Sequence, residues 1–294
     1  MTTPAPSDRR PVVVGVDSDP AHRMAPAWAA DEAVRRHVPL RAVHAEGVPT
    51  RGHWRGKVPP SWEERNEELH RSGKQLLAEV VDFVAARHPG IEADAVLADG
   101  EPGWVLREQS RDATAVVLGS PHLSRTEEVF GSASVALPVM AHAHCPVVVV
   151  PEPEHITQEP VYYVVGVDGS EHSAAAVDLA FQEASLRGAE VRALYVWQPG
   201  HLRTFDEYEF RQECRRLLSE TVAGRRARYP EVELRHEVVV GHPVQVLTEA
   251  SAHALGLVVG TRGRGGFTGM LLGSVSQGVL HHARCPVIAV PLRT

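Results

Sequence analysis

The sequence predicts a Rossmann-like α/β protein built from two copies of one doubly wound domain, each with an open, parallel, five-stranded sheet. Short runs of valine, isoleucine and leucine alternate with longer segments of helical periodicity, as in parallel sheets that helices cover on both faces. The 294 residues are enough for two domains of about 150 residues each. Sequence blocks of the first half also recur, in the same order, in the second half.

The internal repeat is clearest in the first strand of each half. A run of valines leads to Gly15 and Asp17, and a matching run leads to Gly166 and Asp168. Ordered repetition of this kind indicates two homologous domains. The paired blocks begin at Pro11 and Tyr163, at Gly100 and Gly241, at Ala115 and Gly256, and at His144 and Arg284.

We expect the first domain to span residues 1–150 and the second to span residues 161–294. Residues 151–160, between them, contain three prolines and three glutamates. Proline cannot donate to a strand ladder, and glutamate is unsuited to a buried face. The segment is therefore predicted to be a solvated linker.

Strands and helices alternate most clearly in the second half. Apolar runs predict strands at 162–167, 190–196, 232–239, 256–260 and 287–290. An Asp-Gly-Ser turn precedes a helix predicted at 173–187, and Pro230 ends a helix predicted at 206–229. Right-handed crossovers between parallel strands then give the doubly wound arrangement. In the first half, the second helix has one apolar face, formed by Leu69, Leu76, Leu77, Val80, Val81 and Val84.

Charge and cysteine content limit the classes of function. Lysine and arginine number 30 against 37 aspartates and glutamates, and this net charge of -7 disfavours nucleic acid or an anionic membrane as the main partner. Three cysteines are too few for a disulfide scaffold and fit a reducing cytoplasm. The polar start of the chain and the strand-sized apolar runs predict neither a signal peptide nor a membrane span.

A glycine-rich segment follows the fourth strand of the second half. Gly260-Thr-Arg-Gly263 is separated by nine residues from Gly273-Ser274. Glycines there would allow positive φ and the close approach of a phosphate, and the free N–H groups at a helix start attract anions. The sequence has no P-loop motif, and no G-x-G-x-x-G follows its first strand. The pattern predicts a phosphate site between the fourth strand and the last helix.

This spacing, together with an aspartate that ends the first strand, resembles the nucleotide-binding universal stress protein family, and the resemblance covers both halves. The resemblance implies a strand order of 3-2-1-4-5, tandem domains and ATP as the ligand. With that order, strands one and four flank the crevice where open α/β sheets bind ligands. The resemblance also places Asp168 next to the nucleoside, Val196 near the adenine through its backbone, and the glycines around the phosphates.

The predicted nucleotide site of the second domain thus draws on three strand ends and the last helix. Arg262 and Arg264 have two open interpretations, as triphosphate ligands or as solvated loop residues. The predicted site residues are Gly166, Asp168, Gly169, Ser170, Val196, Gly260, Thr261, Arg262, Gly263, Arg264, Gly265, Gly273, Ser274, Val275 and Ser276.

The first half departs from this pattern. His122 stands where the second glycine belongs, eight residues rather than nine separate it from Gly131, and Pro121 removes a backbone donor. A Cβ and a shorter loop would crowd the phosphates, so we expect a weakened or lost site in the first domain. Its residues would be Gly15, Asp17, Ala45, Gly119, Gly131 and Ser132.

Histidine and cysteine cluster just before the last strand of each half, at residues 142–145 and 281–285. No zinc motif accompanies them, and cationic groups suit helix C-termini, so we expect no metal site there. Mg²⁺ is expected only as a companion of bound ATP, near Asp17 or Asp168.

The resemblance implies an ATP-binding stress regulator, which we expect in the cytoplasm, rather than an enzyme, because the motif supplies no lysine and no general base. One alternative is a slow ATPase or phosphotransferase that uses the same site. Another is a nucleotide-independent interaction module. Its surface would be the last strands, at 147–150 and 287–290, whose free edges favour an intrachain pseudo-dimer of the two domains. A homodimer of two chains is a further prediction left open.

Overall fold

The computed structural model describes residues 9–17, 19, 22–47, 60–120, 133–152, 155–198, 207–264 and 272–292. The chain divides into two compact units. The first consists of Met1–Val139 and Ala143–Glu152, and the second of Met140–His142 and Pro153–Thr294.

The first half alternates strands and helices and forms a parallel five-stranded sheet. Its strands lie in the order β3-β2-β1-β4-β5, and all the pairings between them are parallel. The elements are β1 (Val12–Gly15), α1 (Met24–Arg36), β2 (Leu40–Ala45), α2 (Pro60–Arg87), β3 (Ala93–Ala98), α3 (Pro102–Gln109), β4 (Ala115–Ser120), α4 (Ala133–His142) and β5 (Val147–Pro151).

The second half repeats this arrangement, with the strand order β8-β7-β6-β9-β10 and parallel pairing. The predicted fold, with the order 3-2-1-4-5 in each half, is confirmed. The elements are β6 (Tyr162–Val167), α5 (Glu171–Arg187), β7 (Glu190–Trp197), α6 (Glu207–Val222), α7 (Arg225–Arg228), β8 (Leu234–Val240), α8 (Pro243–Ala250), β9 (Gly256–Gly260), α9 (Ser274–His282) and β10 (Val287–Val290).

Helices cover both faces of each sheet. In the second half, α5 packs against α6, and α8 packs against α9. Because the strand order reverses between β6 and β9, right-handed crossovers place these two pairs on opposite faces. The central strands are therefore buried on both sides, and Val164, Val165, Leu257 and Val258 are all fully buried.

The apolar face of α2 is shorter than the sequence predicts. Leu77, Val80 and Val84 are buried against the sheet, whereas Leu69 is 46% exposed. Leu76 and Val81 are half-buried. The prediction for Leu69 is wrong because this residue lies in a stretch of α2, residues 66–72, in which every side chain is exposed.

Two predicted boundaries in the second half are also wrong. The single helix expected at 206–229 is two helices, because Gly224 has a φ of +77° and separates α6 from α7. The strand β8 begins at Leu234 rather than Val232. The N–H of Val232 instead donates to the carbonyl of Tyr229 in a turn at 3.1 Å.

The central pair β6 and β9 positions the candidate site. These strands run in parallel, with Tyr163 opposite Gly256, so their carboxyl ends lie at the same edge of the sheet. From that edge the chain passes from β6 into α5, and from β9 towards α9. No helix in the described part of the chain is long and apolar enough to cross a membrane.

Candidate functional site

The carboxylate of Asp168 joins two segments of the chain at this edge. Asp168 directly follows β6, and its Oδ1 accepts the N–H of Ser170 at 2.9 Å. Its Oδ2 accepts the N–H of Arg264, which follows β9, at 2.9 Å. The side chain therefore fixes the loop after β9 against the start of α5.

The environment of Asp168 keeps its carboxylate ionised. Burial alone would raise the pKa of Asp168, but the hydrogen bonds from Ser170, from the N–H of Arg264 and from Ser173 lower it below its usual value of 3.8. The site thus holds a fixed negative charge beside the strand end.

The glycines at and after the end of β9 lack the expected positive φ and make close contacts instead. We predicted positive φ in this segment, but among the described glycines Gly260, Gly263 and Gly273 have no such φ. A Cβ on Gly260 would lie 2.7 to 2.9 Å from the backbone and Cβ of His172. A Cβ on Gly263 would lie 2.4 Å from Oδ2 of Asp168. These two glycines allow the segment to pack closely against Asp168 and α5.

The start of α9 presents backbone N–H donors that no carbonyl of the helix accepts. Gly273 is the N-cap, and its own N–H donates to the carbonyl of Thr261 at 2.8 Å. The first helical bond runs from the N–H of Gln277 to the carbonyl of Gly273. The N–H groups of the intervening residues, Ser274, Val275 and Ser276, precede it and have no carbonyl partner within the helix. Such a terminus, combined with the helix dipole, attracts an anion.

The start of α5 lies at the same edge. Gly169 adopts a φ of +78° in the tight turn after β6, and Ser170 then caps α5 by accepting the N–H of Ser173 at 3.1 Å. The first turn of α5 packs on the end of β9 through His172 and Gly260. Two helix N-termini therefore meet the carboxyl ends of β6 and β9.

Arg262 and Arg264 bring positive charge to this region. Both residues are exposed. A guanidinium nitrogen of Arg264 lies 3.5 Å from the Cβ position of Gly169. The Arg264 side chain also interacts with the hydroxyl of Tyr195 and with Cys214. Arg264 is therefore an exposed loop residue with defined contacts, and both interpretations of the two arginines, as triphosphate ligands or as solvated loop residues, stay open.

Two further residues of this region, His172 and Tyr195, were not predicted from the sequence. Burial and the charge of Arg262 lower the pKa of His172, against the opposing charges of Asp168 and Glu171. Burial and Cys214 raise the pKa of Tyr195, while Arg264 acts in the opposite direction. His172 could have been found from its place in the first turn after the cap. Tyr195 could not, because its contact depends on how Arg264 turns over the sheet edge.

Several predicted residues have structural contacts of their own. The buried hydroxyl of Ser276 donates to the carbonyl of Gly260 at 2.6 Å. The N–H of Thr261 donates to Val290 at 3.1 Å. Gly166 faces Leu247, with 3.1 Å from its Cβ position to a methyl of that residue, and Val196 packs on the hydrophobic core. Gly265 lies outside the described residues.

The first half has a cavity at the equivalent edge. It has a volume of about 280 Å³, and four predicted residues line it, namely Gly15, Asp17, Ala45 and Gly119. The other two predicted residues, Gly131 and Ser132, lie outside the described part of the chain.

Asp17 makes an ion pair beside this cavity. Its Oδ2 lies 2.7 Å from Nδ1 of His22, and its Oδ1 accepts the N–H of Asp19 at 2.9 Å. The hydrogen bond to Asp17 raises the pKa of His22; burial opposes this, and the charges of Asp17, Asp19 and Glu152 add to it. His22 therefore neutralises part of the negative charge at this edge.

Metal ligation finds no support in the described residues. No group of three or more histidine, cysteine, aspartate or glutamate side chains in that part of the chain is placed to hold a metal ion. The cysteines Cys145, Cys214 and Cys285 are buried and form no disulfide bond.

Comparison with known proteins identifies the family. The model of the universal stress protein family matches residues 8–151 and 163–291. Universal stress protein Rv2005c of Mycobacterium tuberculosis is 36% identical over 294 residues, covering 96% of this chain and 97% of that protein. Universal stress protein Rv2623 of the same species is 35% identical over 290 residues, covering 94% and 95%.

The fold is shared with a solved structure of low sequence identity. The crystal structure of a universal stress protein from Archaeoglobus fulgidus superposes with a TM-score of 0.67 at 16% identity, covering 96% of this chain and 97% of that one. With two matches of the family model and relatives similar over nearly the whole length, the chain belongs to the universal stress protein family and contains two tandem domains of it.

Proposed function

We propose that this universal stress protein binds ATP, mainly in its second domain, and acts as a cytoplasmic stress-response regulator whose conformation or partners depend on nucleotide occupancy. The observation that carries the proposal is the start of α9. Ser274, Val275 and Ser276 offer three successive backbone N–H groups that precede the first helical bond. Arg262 and Arg264 supply positive charge on the neighbouring segment.

The site residues fit a triphosphate better than a catalytic centre. The second half of the sequence contains no lysine, and both carboxylate oxygens of Asp168 already accept backbone N–H groups. Asp168 is therefore poorly placed to act as a general base. We therefore expect ATP to bind without rapid hydrolysis, and Mg²⁺ to bind only together with ATP. The enzymatic alternative is a slow ATPase or phosphotransferase. It predicts more ADP or phosphoprotein from ATP and Mg²⁺ than a control protein in which Gly263 and Gly273 are replaced.

The first domain is proposed to bind nucleotide more weakly. Its cavity of about 280 Å³ is bordered by the negative charge of Asp17, which opposes an anionic ligand and which His22 only partly neutralises. The glycine pattern that would hold the phosphates is also incomplete there, because His122 replaces a glycine. Pairing of the two domains within one chain and association of two chains stay predictions of the sequence.

A proline substitution tests the second-domain site sharply. Proline is well tolerated at the first position of a helix, where Pro102 and Pro243 already begin α3 and α8. Gly273, the preceding residue, has φ -66° and ψ 146°, a conformation that a following proline allows. Ser274→Pro therefore removes one N–H donor from the start of α9 and leaves the helix intact.

In calorimetric titration with ATP and Mg²⁺, Ser274→Pro is expected to weaken binding about tenfold, because a hydrogen bond to a charged group is lost. Ser274→Ala, which removes the hydroxyl and keeps the N–H, should bind more tightly than Ser274→Pro. Equal affinity of the wild type and Ser274→Pro would refute the site.

Mass spectrometry of nucleotide released from the purified protein provides a second test of the proposed function. The finding of no nucleotide would favour the alternative of an interaction module.

A further inference from the structure

A second candidate binding surface lies on the second domain, away from the carboxyl ends of β6 and β9, which we call the nucleotide edge after the function proposed for it. It is a groove between α6 and the edge strand β8, with a volume of about 370 Å³. We call it the β8 groove. It shares no residue with the predicted nucleotide site. Its lining residues are Arg211, Arg215, Leu218, Ser219, His236, Glu237 and Val238.

Two arginines of α6 face this groove without an acidic partner. Within the described part of the chain, Arg211 and Arg215 make no ion pair, and the buried Nε of Arg211 has no hydrogen-bond acceptor. Nearby arginines behave differently, since Arg216 pairs with Glu213 and Arg225 pairs with Asp178. A buried guanidinium nitrogen without an acceptor is costly, so the groove favours a ligand that carries carboxylates.

The backbone of β8 also offers unused hydrogen-bonding groups. In the pairing with β7, the carbonyl of Glu233 accepts the N–H of Val191, and the N–H of Gly241 donates to the carbonyl of Trp197. Alternate residues of a parallel strand direct their amides to the same side. The N–H and C=O groups of His236 and Val238 therefore point away from β7. No other strand in the described residues pairs with that outer edge.

The distance between the two arginines is close to the distance between alternate side chains of a strand added to this edge. Arg211 and Arg215 are four residues apart on α6, or about 6 Å along the helix axis. Alternate side chains on one face of a strand are about 6.7 Å apart. Two acidic side chains at alternate positions of an extended peptide could each meet one arginine while the peptide backbone pairs with β8.

We infer that the β8 groove binds an extended acidic segment of a partner protein by strand addition. Leu218 and Val238 form an apolar floor below the arginines, and the side chains between the acids would point to the opposite face of the sheet. Glu237 is the opposing charge in the groove, and it leaves a net positive lining because two arginines outnumber it. A small anion alone would contact the arginines but would leave the outward amides of β8 unused.

Fluorescence anisotropy with the full chain tests this inference. The probe is a labelled octapeptide of alternating valine and glutamate; controls replace glutamate by lysine or methylate alternate backbone nitrogens. The acidic probe should bind, and both controls should bind at least about tenfold more weakly. Equal binding of the acidic and basic probes would overturn the inference. If inorganic phosphate displaces the probe and the methylated probe binds as well as the acidic one, the groove is a small-anion site instead.

Variants of the groove residues give the second readout. Arg211→Ala and Arg215→Ala should each weaken the probe roughly tenfold, whereas Glu237→Gln should tighten it, because an opposing charge is removed. Arg226→Ala removes an exposed arginine outside the groove and serves as the matched control. Arg211→Lys keeps the positive charge and is the control for variants that fail to fold.

Hydrogen exchange tests the backbone pairing. The N–H groups of His236 and Val238 should be protected by the probe. Binding without that protection would exclude strand addition.

Discussion

The backbone N–H of Arg264 donates to Oδ2 of Asp168 at 2.9 Å, although 96 residues separate the two in the chain. The other oxygen of the same carboxylate accepts the N–H of Ser170 at 2.9 Å. One side chain therefore holds the end of β6, the cap of α5 and the loop after β9 together. The geometry of the nucleotide edge depends on this carboxylate before any ligand is considered.

Asp168→Asn should destabilise the second domain by about 1 to 3 kcal/mol, because an amide offers one acceptor and its NH₂ group meets a backbone N–H. Urea denaturation of the full chain, followed by circular dichroism, measures the total loss of stability, and hydrogen exchange of the amides in β6 and β9 assigns it to the second domain. Asp178→Asn, which removes only the partner of Arg225 at the surface, is the matched control, and we expect it to cost less than about 1 kcal/mol. Equal effects of the two substitutions would contradict the role assigned to Asp168.

The same carboxylate predicts a pH dependence. Because the pKa of Asp168 lies below 3.8 in the folded state, its stabilisation is present above that value and is lost as the pH falls through the folded-state pKa. The stability difference between the wild type and Asp168→Asn should therefore shrink below about pH 4. A difference that stays constant between pH 7 and the acid range would rule out an ionised Asp168 as its source.

The glycines of the nucleotide edge should differ in their tolerance of alanine. Gly260→Ala places a Cβ 2.8 Å from the backbone carbon of His172, and this crowding should cost about 2 kcal/mol or more. Gly273→Ala meets nothing closer than 3.5 Å at a φ of -66°, so its effect should stay within about 0.5 kcal/mol. Thermal denaturation compares the two variants, and the reverse ranking would show that the contact with His172 relaxes at little cost.

The fold could be predicted from sequence because its signals are local and repeated. Buried valine runs such as those around Val164 and Val258 are typical of parallel strands. Because the two halves are similar in sequence, each element is also indicated twice. The nucleotide edge was less predictable. Gly260 and Gly263 were recognised, but the reason for them lies in the approach of His172 and Asp168, which are distant in the sequence. No pattern in one sequence gives such packing distances.

Long-range contacts also explain which side chains the sequence analysis missed. Arg264 contacts Tyr195 on a different strand, and Leu69 is exposed although its spacing fits the apolar face of α2. Periodicity states which residues share a face, but the length of helix that the sheet covers depends on the tertiary structure. The break at Gly224 is different, because a glycine followed by two arginines is a helix-ending signal that the sequence did contain.

Ser276 and Ser274 should separate stability from binding. The buried hydroxyl of Ser276 donates to Gly260 at 2.6 Å, so Ser276→Ala should cost about 1 to 2 kcal/mol of stability. Ser274 is exposed, and Ser274→Ala should leave the stability within about 0.5 kcal/mol of the wild type. Denaturation and ATP titration of both variants check this, and a neutral Ser276→Ala would show that its hydroxyl has no structural role.

His22 should titrate above its usual pKa of 6.5, because the hydrogen bond that its ring donates to Asp17 favours the charged ring and outweighs burial. Its stabilisation is complete below that ordinary value and is lost as the pH rises through the higher folded-state pKa. NMR titration of the full chain measures the pKa, with the resonance assigned by its loss in His22→Gln.

Substitutions of the two neighbouring acids should have unequal effects on that titration. Asp17 lies 2.7 Å from Nδ1 of His22 and Asp19 lies 3.6 Å from Nε2, so Asp17→Asn should lower the pKa more than Asp19→Asn does. Asp94→Asn, which removes the partner of Arg41 on another strand, should leave the titration of His22 unchanged.

The charge of His22 should also affect ATP binding in the first domain. Because Asp17 borders the first-domain cavity, deprotonation of His22 leaves more negative charge at the mouth of that cavity. ATP should then bind the first domain more weakly at pH 8 than at pH 6, and the opposite order would mean that His22 does not set the charge there.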